Sequence, residues 1–487
     1  MGLLKTATKG FAWTTASTVV RSIVSLLQVS ILAHYLEKSD FGIVAIAMLF
    51  LGFTQIFLDM GISAGILHKQ DVSKDQYSSL FWLNIFSGLF LTLILYLISP
   101  LVANYYEEPE LVNIIRLFSL TILFSSLGSQ HRTVLQKNMR FGIISIVEIL
   151  TSIVSLLVAI VLVINDFGVY SLVYSNLVLS GLTGGAFLII GLCGERNISL
   201  HFKLSDTYDY LKIGVFSLGS NILDYFAREF DVLIISTTLG KEAVGVYSLC
   251  KKLVLAVFSA INPVLMKVLT PILATLQGEK ERLKKIYYDI VQSMAFINMP
   301  IYCLLAVFSS GILIFLYGEQ YADSFVVFSF IALHYGLSST NNPVGSLQIA
   351  MGRTDSGFYW TIVRIIATVL TVFIGAEFGL NGIAIGLFLQ SVIINPVFWR
   401  ITIKSILGGD YPSYFNISIA PCLIIIVSFL PVYFLFHNTT NIFLAILYGS
   451  ISIFLFSIAL YILSPQSFLV VTFKERLLPH LINRIKK

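Results

Sequence analysis

Residues Ser220–Ile235 read SNILDYFAREFDVLII. They lie within an apolar segment, 211–238, that is long enough to cross a bilayer. Yet the stretch carries Asp224, Arg228, Glu229 and Asp231. On an insertion scale each charge near the centre of a spanning helix costs roughly 2.5–3.5 kcal/mol. The rest of the chain decides what kind of protein keeps such a segment. Of 487 residues, 57% are hydrophobic and 12% are charged, against about 25% charged in a soluble domain. This composition fits an all-α polytopic membrane protein, whose four charges must then face protein or water rather than lipid.

Hydropathy predicts about fourteen transmembrane helices, near 11–33, 41–67, 78–100, 111–130, 143–164, 168–193, 211–238, 243–272, 288–315, 325–350, 358–377, 380–400, 413–436 and 441–463. The loops alternate in charge. One set holds Lys5, Lys9, Lys69, Lys74, Arg132, Lys137, Arg140, Arg196, Arg282, Arg353, Arg400 and the tail lysines and arginines from Lys474 onward. The other holds Lys38 and Lys241 with many acids, among them Glu107, Glu108 and Glu110. The positive-inside rule places the basic loops and both termini in the cytoplasm. The opening MGLLKTATKGFAWTTAS reads as a retained first helix, and Asn438-Thr-Thr as an outer-side sequon of low specificity.

The sequence also repeats. LEKSDFGIV from Leu36 answers LGKEAVGVY from Leu239, LQKNMRF from Leu135 answers LQIAMGR from Leu347, and DFGVYSL from Asp166 answers EFGLNGI from Glu377. The offsets are 203, 212 and 211, with six spans between partners. An even number of spans gives two halves of the same orientation, related by an axis along the membrane normal. The expected organisation is two pseudo-symmetric six-helix lobes, 1–210 and 211–405. Two C-terminal helices and a basic tail follow in 406–487.

The repeat sharpens the opening puzzle. Ser217, Asn221, Asp224, Arg228 and Asp231 advance by three or four residues and share one helical face. Shifted by 203, the first span offers Thr14, Thr18, Arg21, Ser25 and Gln28, with Arg21 opposite Asp224. Two readings fit. The faces line a polar cleft between lobes, or the charges neutralise one another inside a bundle through Asp224–Arg228 and Arg228–Asp231 pairs. Glu229 points off the stripe. Lys251 and Lys252 lie about two turns into the eighth span, one toward the cleft and the other snorkelling. Arg364 lies well inside the eleventh span and can meet an anionic ligand. Glu148 can carry a proton or pair with Arg364, and Asp59 divides evenly between helix packing and function. The sequences Gly61–Gly65 and Gly382–Gly386 signal close helix packing and nothing more specific.

Other classes find little support. The four cysteines fall singly in apolar runs, so no metal site or disulfide framework is indicated. No phosphate-binding GxxxxGK[ST] or nucleophile–base constellation stands out, which argues against an enzyme, and the net charge of +5 is no nucleic-acid signal. A channel filter sequence is also missing, which leaves a transporter or flippase.

The runs FGIVAIAMLFLGFTQIFLDMGISAGILHK, LFWLNIFSGLF, RTVLQKNMRFGIISIVEIL and DFGVYSLVYSNLV, in this order and spacing, carry a resemblance. They resemble the polysaccharide exporter (Wzx-type) family, nearest its colanic- and teichuronic-acid export branch. That family lies within the multidrug, oligosaccharidyl-lipid and polysaccharide exporter superfamily. The resemblance implies a flippase of the bacterial inner membrane. It would move undecaprenyl-pyrophosphate-linked oligosaccharides by alternating access for surface polysaccharide (exopolysaccharide or lipopolysaccharide) synthesis, beside a polymerase and glycosyltransferases. It further implies that Arg21, Arg228, Lys251 and Arg364 receive the anionic cargo. Asp224, Asp231, Glu148 and Asp59 would then serve charge pairing or coupling to H+ or Na+, with no other cofactor. The rival readings are a cation-coupled multidrug exporter, a lipid II flippase, and a non-transporting scaffold of a polysaccharide synthase. Drug sensitivity, essentiality and tolerance of a neutralised stripe separate them.

Overall fold

The computed structural model describes residues 2–68, 72–193, 198–436 and 451. The expected span 441–463, Asn438, the basic tail, Lys69 and Arg196 lie outside these residues. Among the described residues all regular structure is helical. The chain divides into two compact units, Met1–Leu249 and Cys250–Lys487.

The first unit contains α1 (Gly2–Ala33), α2 (Lys38–Asp59), α3 (Ile62–His68), α4 (Lys74–Tyr106) and α5 (Glu110–Lys137). It continues with α6 (Phe141–Ile164), α7 (Tyr170–Leu192), α8 (Tyr208–Thr238) and the start of α9 (Gly240–Ala274). The second unit holds the rest of α9, then α10 (Lys280–Val307), α11 (Ser309–Tyr317), α12 (Phe325–Thr340), α13 (Pro343–Ala350) and α14 (Thr354–Ala376). After these come α15 (Gly379–Ile393), α16 (Asn395–Phe398), α17 (Lys404–Leu407) and α18 (Tyr411–Phe436).

Among the described residues nine helices are long and apolar enough to cross a membrane, or ten if the pair bent by 44° at Ile394 counts as one span. The long helices α8 and α9 are not among the nine. In α8 the charges quoted at the outset lower the hydropathy that length alone would supply. Leucines and isoleucines point outward along whole faces: Leu150, Leu157 and Val161 on α6, and Ile366, Leu370 and Phe373 on α14, are all more than half exposed. Apolar faces of this extent are at home in hydrocarbon, whereas water would penalise them at about 25 cal/mol per Å². The protein is therefore an all-helical, multi-pass membrane protein.

Several spans read as continuous are broken. The second, 41–67, splits into α2 and α3 where Met60 and Gly61 adopt φ of 45° and 73°. Gly61 tolerates this conformation for want of a Cβ and lies directly against the backbone of Gly214 on α8. The ninth splits at Phe308 and the tenth at Asn341–Asn342, where Pro343 starts a new helix with a nitrogen that has no hydrogen to donate. In the twelfth, a π-helical turn over Trp399–Ile403 joins α16 to α17.

Within the first unit α4 packs on α5, α5 on α7 and α6 on α7; within the second, α10 packs on α12, α12 on α15 and α14 on α15. These four helices of each unit correspond under the sequence repeat. Helix α8, which the repeat assigns to the second lobe, packs on α2 and α3 of the first unit. The linker before it is tied down. Trp82 Nε1 donates to the Ser199 carbonyl at 3.0 Å, Lys203 N donates to Ser79 Oγ at 3.1 Å, and Ser79 Oγ donates to Asp206 at 3.2 Å. The imidazole of His201 stands 2.9 Å from the Asp206 carboxylate and, with Ser79, holds its pKa below the ordinary value.

Candidate functional site

Helices α1, α5, α6 and α7 surround a polar cavity in the first unit, about 700 Å³ including its open mouth. Helix α5 turns Ser125, Gly128, Ser129 and Arg132 toward it, a spacing of three and four that keeps them on one face. By the same rule α7 contributes Ser180, Thr183, Gly184 and Phe187, and α6 contributes Glu148 and Thr151. Gly128 and Gly184 let α5 and α7 meet closely: a Cβ on Gly184 would overlap the Phe124 carbonyl oxygen.

At the centre stands Glu148. One carboxylate oxygen accepts Arg21 Nη1 at 2.7 Å, and the other accepts Arg132 Nε at 2.9 Å and Nη2 at 2.8 Å. Its side chain is 12% exposed, whereas those of Arg21 and Arg132 are 47% and 44% exposed. The carboxylate is thus sequestered while both guanidiniums keep faces free for a ligand. Two cations share one anion, leaving the cluster one positive charge. Glu148 lies seven residues into α6 and Arg132 five from the end of α5, so at 1.5 Å per residue the cluster sits about 8–10 Å inside the helix ends. A ring of hydroxyls with two half-open guanidiniums can hold a phosphate or carboxylate together with sugar hydroxyls.

The structure redistributes the residues singled out by the sequence. Arg21 and Glu148 come together, but the partners of Glu148 are Arg21 and Arg132, not Arg364, because α1 and α5 flank α6 in the same unit. Arg132 was read as a loop cation because the fourth span was ended at residue 130; α5 runs on to Lys137 and carries the arginine into the cavity. The hydrophilic face of α1 is satisfied within its own unit. Gln28 Nε2 donates to Ser175 Oγ on α7 at 2.9 Å, while Thr14 and Thr18 donate to the carbonyls of Gly10 and Thr14, each at 2.9 Å. Ser25 is half-buried.

On α8, which also carries Ser217, Asn221, Asp224 and Arg228 are exposed. Arg228 Nε meets the main-chain oxygen of Asp224 at 3.3 Å. Asp231 is 9% exposed and accepts the Tyr247 hydroxyl at 2.6 Å. Asp59 accepts both N–H and O–H of Ser63, the hydroxyl at 2.5 Å, and so caps α3. In the second unit Lys251 is 5% exposed on α9, and Arg364 is half-buried on α14. Among the described residues no group of His, Cys, Asp and Glu could hold a metal ion.

The chain is 25% identical over 422 residues to "Teichuronic acid biosynthesis protein TuaB" of Bacillus subtilis (strain 168), covering 87% of each. It is 25% identical over 419 residues to "Lipopolysaccharide biosynthesis protein WzxC" of Escherichia coli (strain K12), covering 85% of this chain and 84% of that one. Its fold is similar to that of the lipid II flippase MurJ in an inward closed conformation. The TM-score is 0.74 at 15% identity, covering 93% of this chain and 98% of the other. Residues 31–326 match the family described as "Polysaccharide biosynthesis protein", and the chain belongs to that family.

Proposed function

We propose that the protein is a flippase for undecaprenyl-pyrophosphate-linked oligosaccharide units. It carries them from the cytoplasmic to the periplasmic leaflet of a bacterial inner membrane, for surface polysaccharide synthesis. The observation that carries this reading is the Arg21–Glu148–Arg132 cluster, set among hydroxyls within the membrane-spanning helices. A pyrophosphate and its sugars cannot cross about 30 Å of hydrocarbon unaided. A cavity with one net positive charge lowers that barrier while the polyprenyl tail stays in lipid. The names of the relatives support the same reading. In it the chain has fourteen spans in two six-helix lobes, 1–210 and 211–405, with 406–487 added and both termini cytoplasmic. The lobes rock about the cargo, coupled to an H+ or Na+ gradient, and a polymerase and glycosyltransferases work alongside. The positive excess disfavours the cationic cargo of a multidrug exporter.

Depletion of the protein should trap lipid-linked oligosaccharide on the cytoplasmic leaflet, measured by its inaccessibility to an externally added glycan-binding lectin in spheroplasts. Arg21→Ala should abolish export at normal protein abundance, since Glu148 keeps Arg132 as partner. Normal export by that variant would remove Arg21 from the cargo path.

A further inference from the structure

Arg21 and Arg132 share the Glu148 carboxylate. Arg116, on the same helix as Arg132, is placed differently: among the described residues its guanidinium has neither an ion pair nor a hydrogen bond, and its buried Nε meets no acceptor. It lies six residues past Glu110, the start of α5, which puts its Cα about 9 Å along the helix at 1.5 Å per residue. The guanidinium does touch the ring of Tyr96 on α4, whose centroid is 4.5 Å from Cζ. Such a cation–π contact attracts the cation but supplies no counter-charge. Tyr96 lies ten residues before Tyr106, the end of α4, and only Glu107–Pro109 join the two helices. The guanidinium is therefore turned toward the deeper ring, whereas a snorkelling arginine extends to the nearer helix end. Of the acids around the turn, Glu108 is paired with Lys241 at 2.6 Å, and neither Glu107 nor Glu110 forms an ion pair with Arg116.

The surroundings of this cation are apolar and open. Leu93, Tyr96 and Leu97 on α4 and Leu120 on α5 are all more than a third exposed, and the α4 stripe continues to Leu89 and Leu101. None of these residues lines the Arg21 cavity. One turn before Arg116, Asn113 is exposed and adds an amide to the same face. Hydrocarbon offers a guanidinium no anion, and a charge with five N–H donors left unanswered there is costly. The phosphate of a lipid is the anion within a membrane's reach. It accepts two parallel hydrogen bonds from a guanidinium, and a bilayer thins locally around an intramembrane arginine. The chains of the same lipid match the leucines that flank Tyr96. A soluble anion has no chains to match them.

We propose that Arg116, with Tyr96 against its guanidinium and Asn113 on the same face, is a binding site for the phosphate group of a lipid. It lies in the seam of α4 and α5, apart from the Arg21 cavity, and does not depend on the flippase reading. Native mass spectrometry of the full chain, delipidated in detergent, reads the site. The protein is titrated with phosphatidylglycerol, with undecaprenyl phosphate, or with diacylglycerol, which has chains but no phosphate. Arg116→Leu removes the donors and leaves an apolar side chain suited to the seam, whereas Arg116→Lys keeps the charge without the two-bond fork. Arg116→Leu should weaken one bound phosphate lipid by about tenfold, with Arg116→Lys in between. Diacylglycerol binding and the melting temperature in lipid-free detergent should not fall. Loss confined to phosphatidylglycerol would identify a resident phospholipid, and loss confined to undecaprenyl phosphate a carrier lipid; either supports the site. Equal binding of both phosphate lipids by wild type and Arg116→Leu would mean that water alone satisfies the guanidinium, and would overturn the site. Lipid loss accompanied by a lower melting temperature in lipid-free detergent would make Arg116 a packing residue, with the same consequence.

Discussion

Glu148 binds two arginines, and its removal is not the same as removal of either one. Arg132→Gln leaves the Arg21–Glu148 bond and should cost about 1 kcal/mol or less, because the lost partner is half exposed. Glu148→Ala leaves two adjacent guanidiniums with no counter-charge and should cost about 2–3 kcal/mol. Thermal unfolding in a single detergent should therefore rank wild type, Arg132→Gln and Glu148→Ala in falling order. Equal melting temperatures for the two variants would mean that water already screens the cluster. Arg21 was legible in the sequence because an arginine in the middle of an apolar span is conspicuous. Arg132 was not, since a cation near a span end looks like an ordinary cytoplasmic loop residue until the helix end is known. The pairing of Glu148 was illegible for a related reason: spacing along one helix shows which residues share a face, but not which helix that face meets.

Helix existence could be read from hydropathy; helix continuity could not. The break at Met60–Gly61 follows Asp59 and that at Asn341–Asn342 ends the polar run SSTNN before Pro343, signals that averaging over a window of spanning length conceals. The linker into α8 also carries information that hydropathy misses. Asp206 has a depressed pKa in the folded chain, so its bonds contribute stability fully above the ordinary carboxylate value of 3.8. That contribution is lost as the pH falls through the lower, folded value. Asp206→Asn should make residues 198–207 susceptible to protease at neutral pH, where the wild type is protected, as read by mass-mapped limited proteolysis. Equal protection would show that the Trp82–Ser199 and Ser79–Lys203 bonds hold the linker without Asp206.

For the molecule as a whole, duplication was the most informative signal in the sequence. Three short phrases at matching offsets anticipated the packing shared by α4, α5, α6 and α7 with α10, α12, α14 and α15. The duplication did not foretell that α8 leaves its formal counterparts and joins α2 and α3. Duplicated sequence does not oblige the two copies to pack alike when their polar faces differ, and α8 holds Asp224 and Asp231 where α1 holds Arg21 and Gln28.

A Cβ on Gly42 would overlap the Lys241 carbonyl oxygen and a Cβ on Gly245 the Lys38 carbonyl oxygen, so the two glycines at this helix contact form one genetic unit. An alanine at either position already pries the helices apart, so the second alanine finds room waiting and adds less than the first. A double-mutant cycle on Gly42→Ala and Gly245→Ala should return a coupling between about 0.5 and 3 kcal/mol in the compensating direction, and strict additivity would refute it. Natural lineages should bear the same mark, with the two sites keeping glycine jointly or surrendering it jointly.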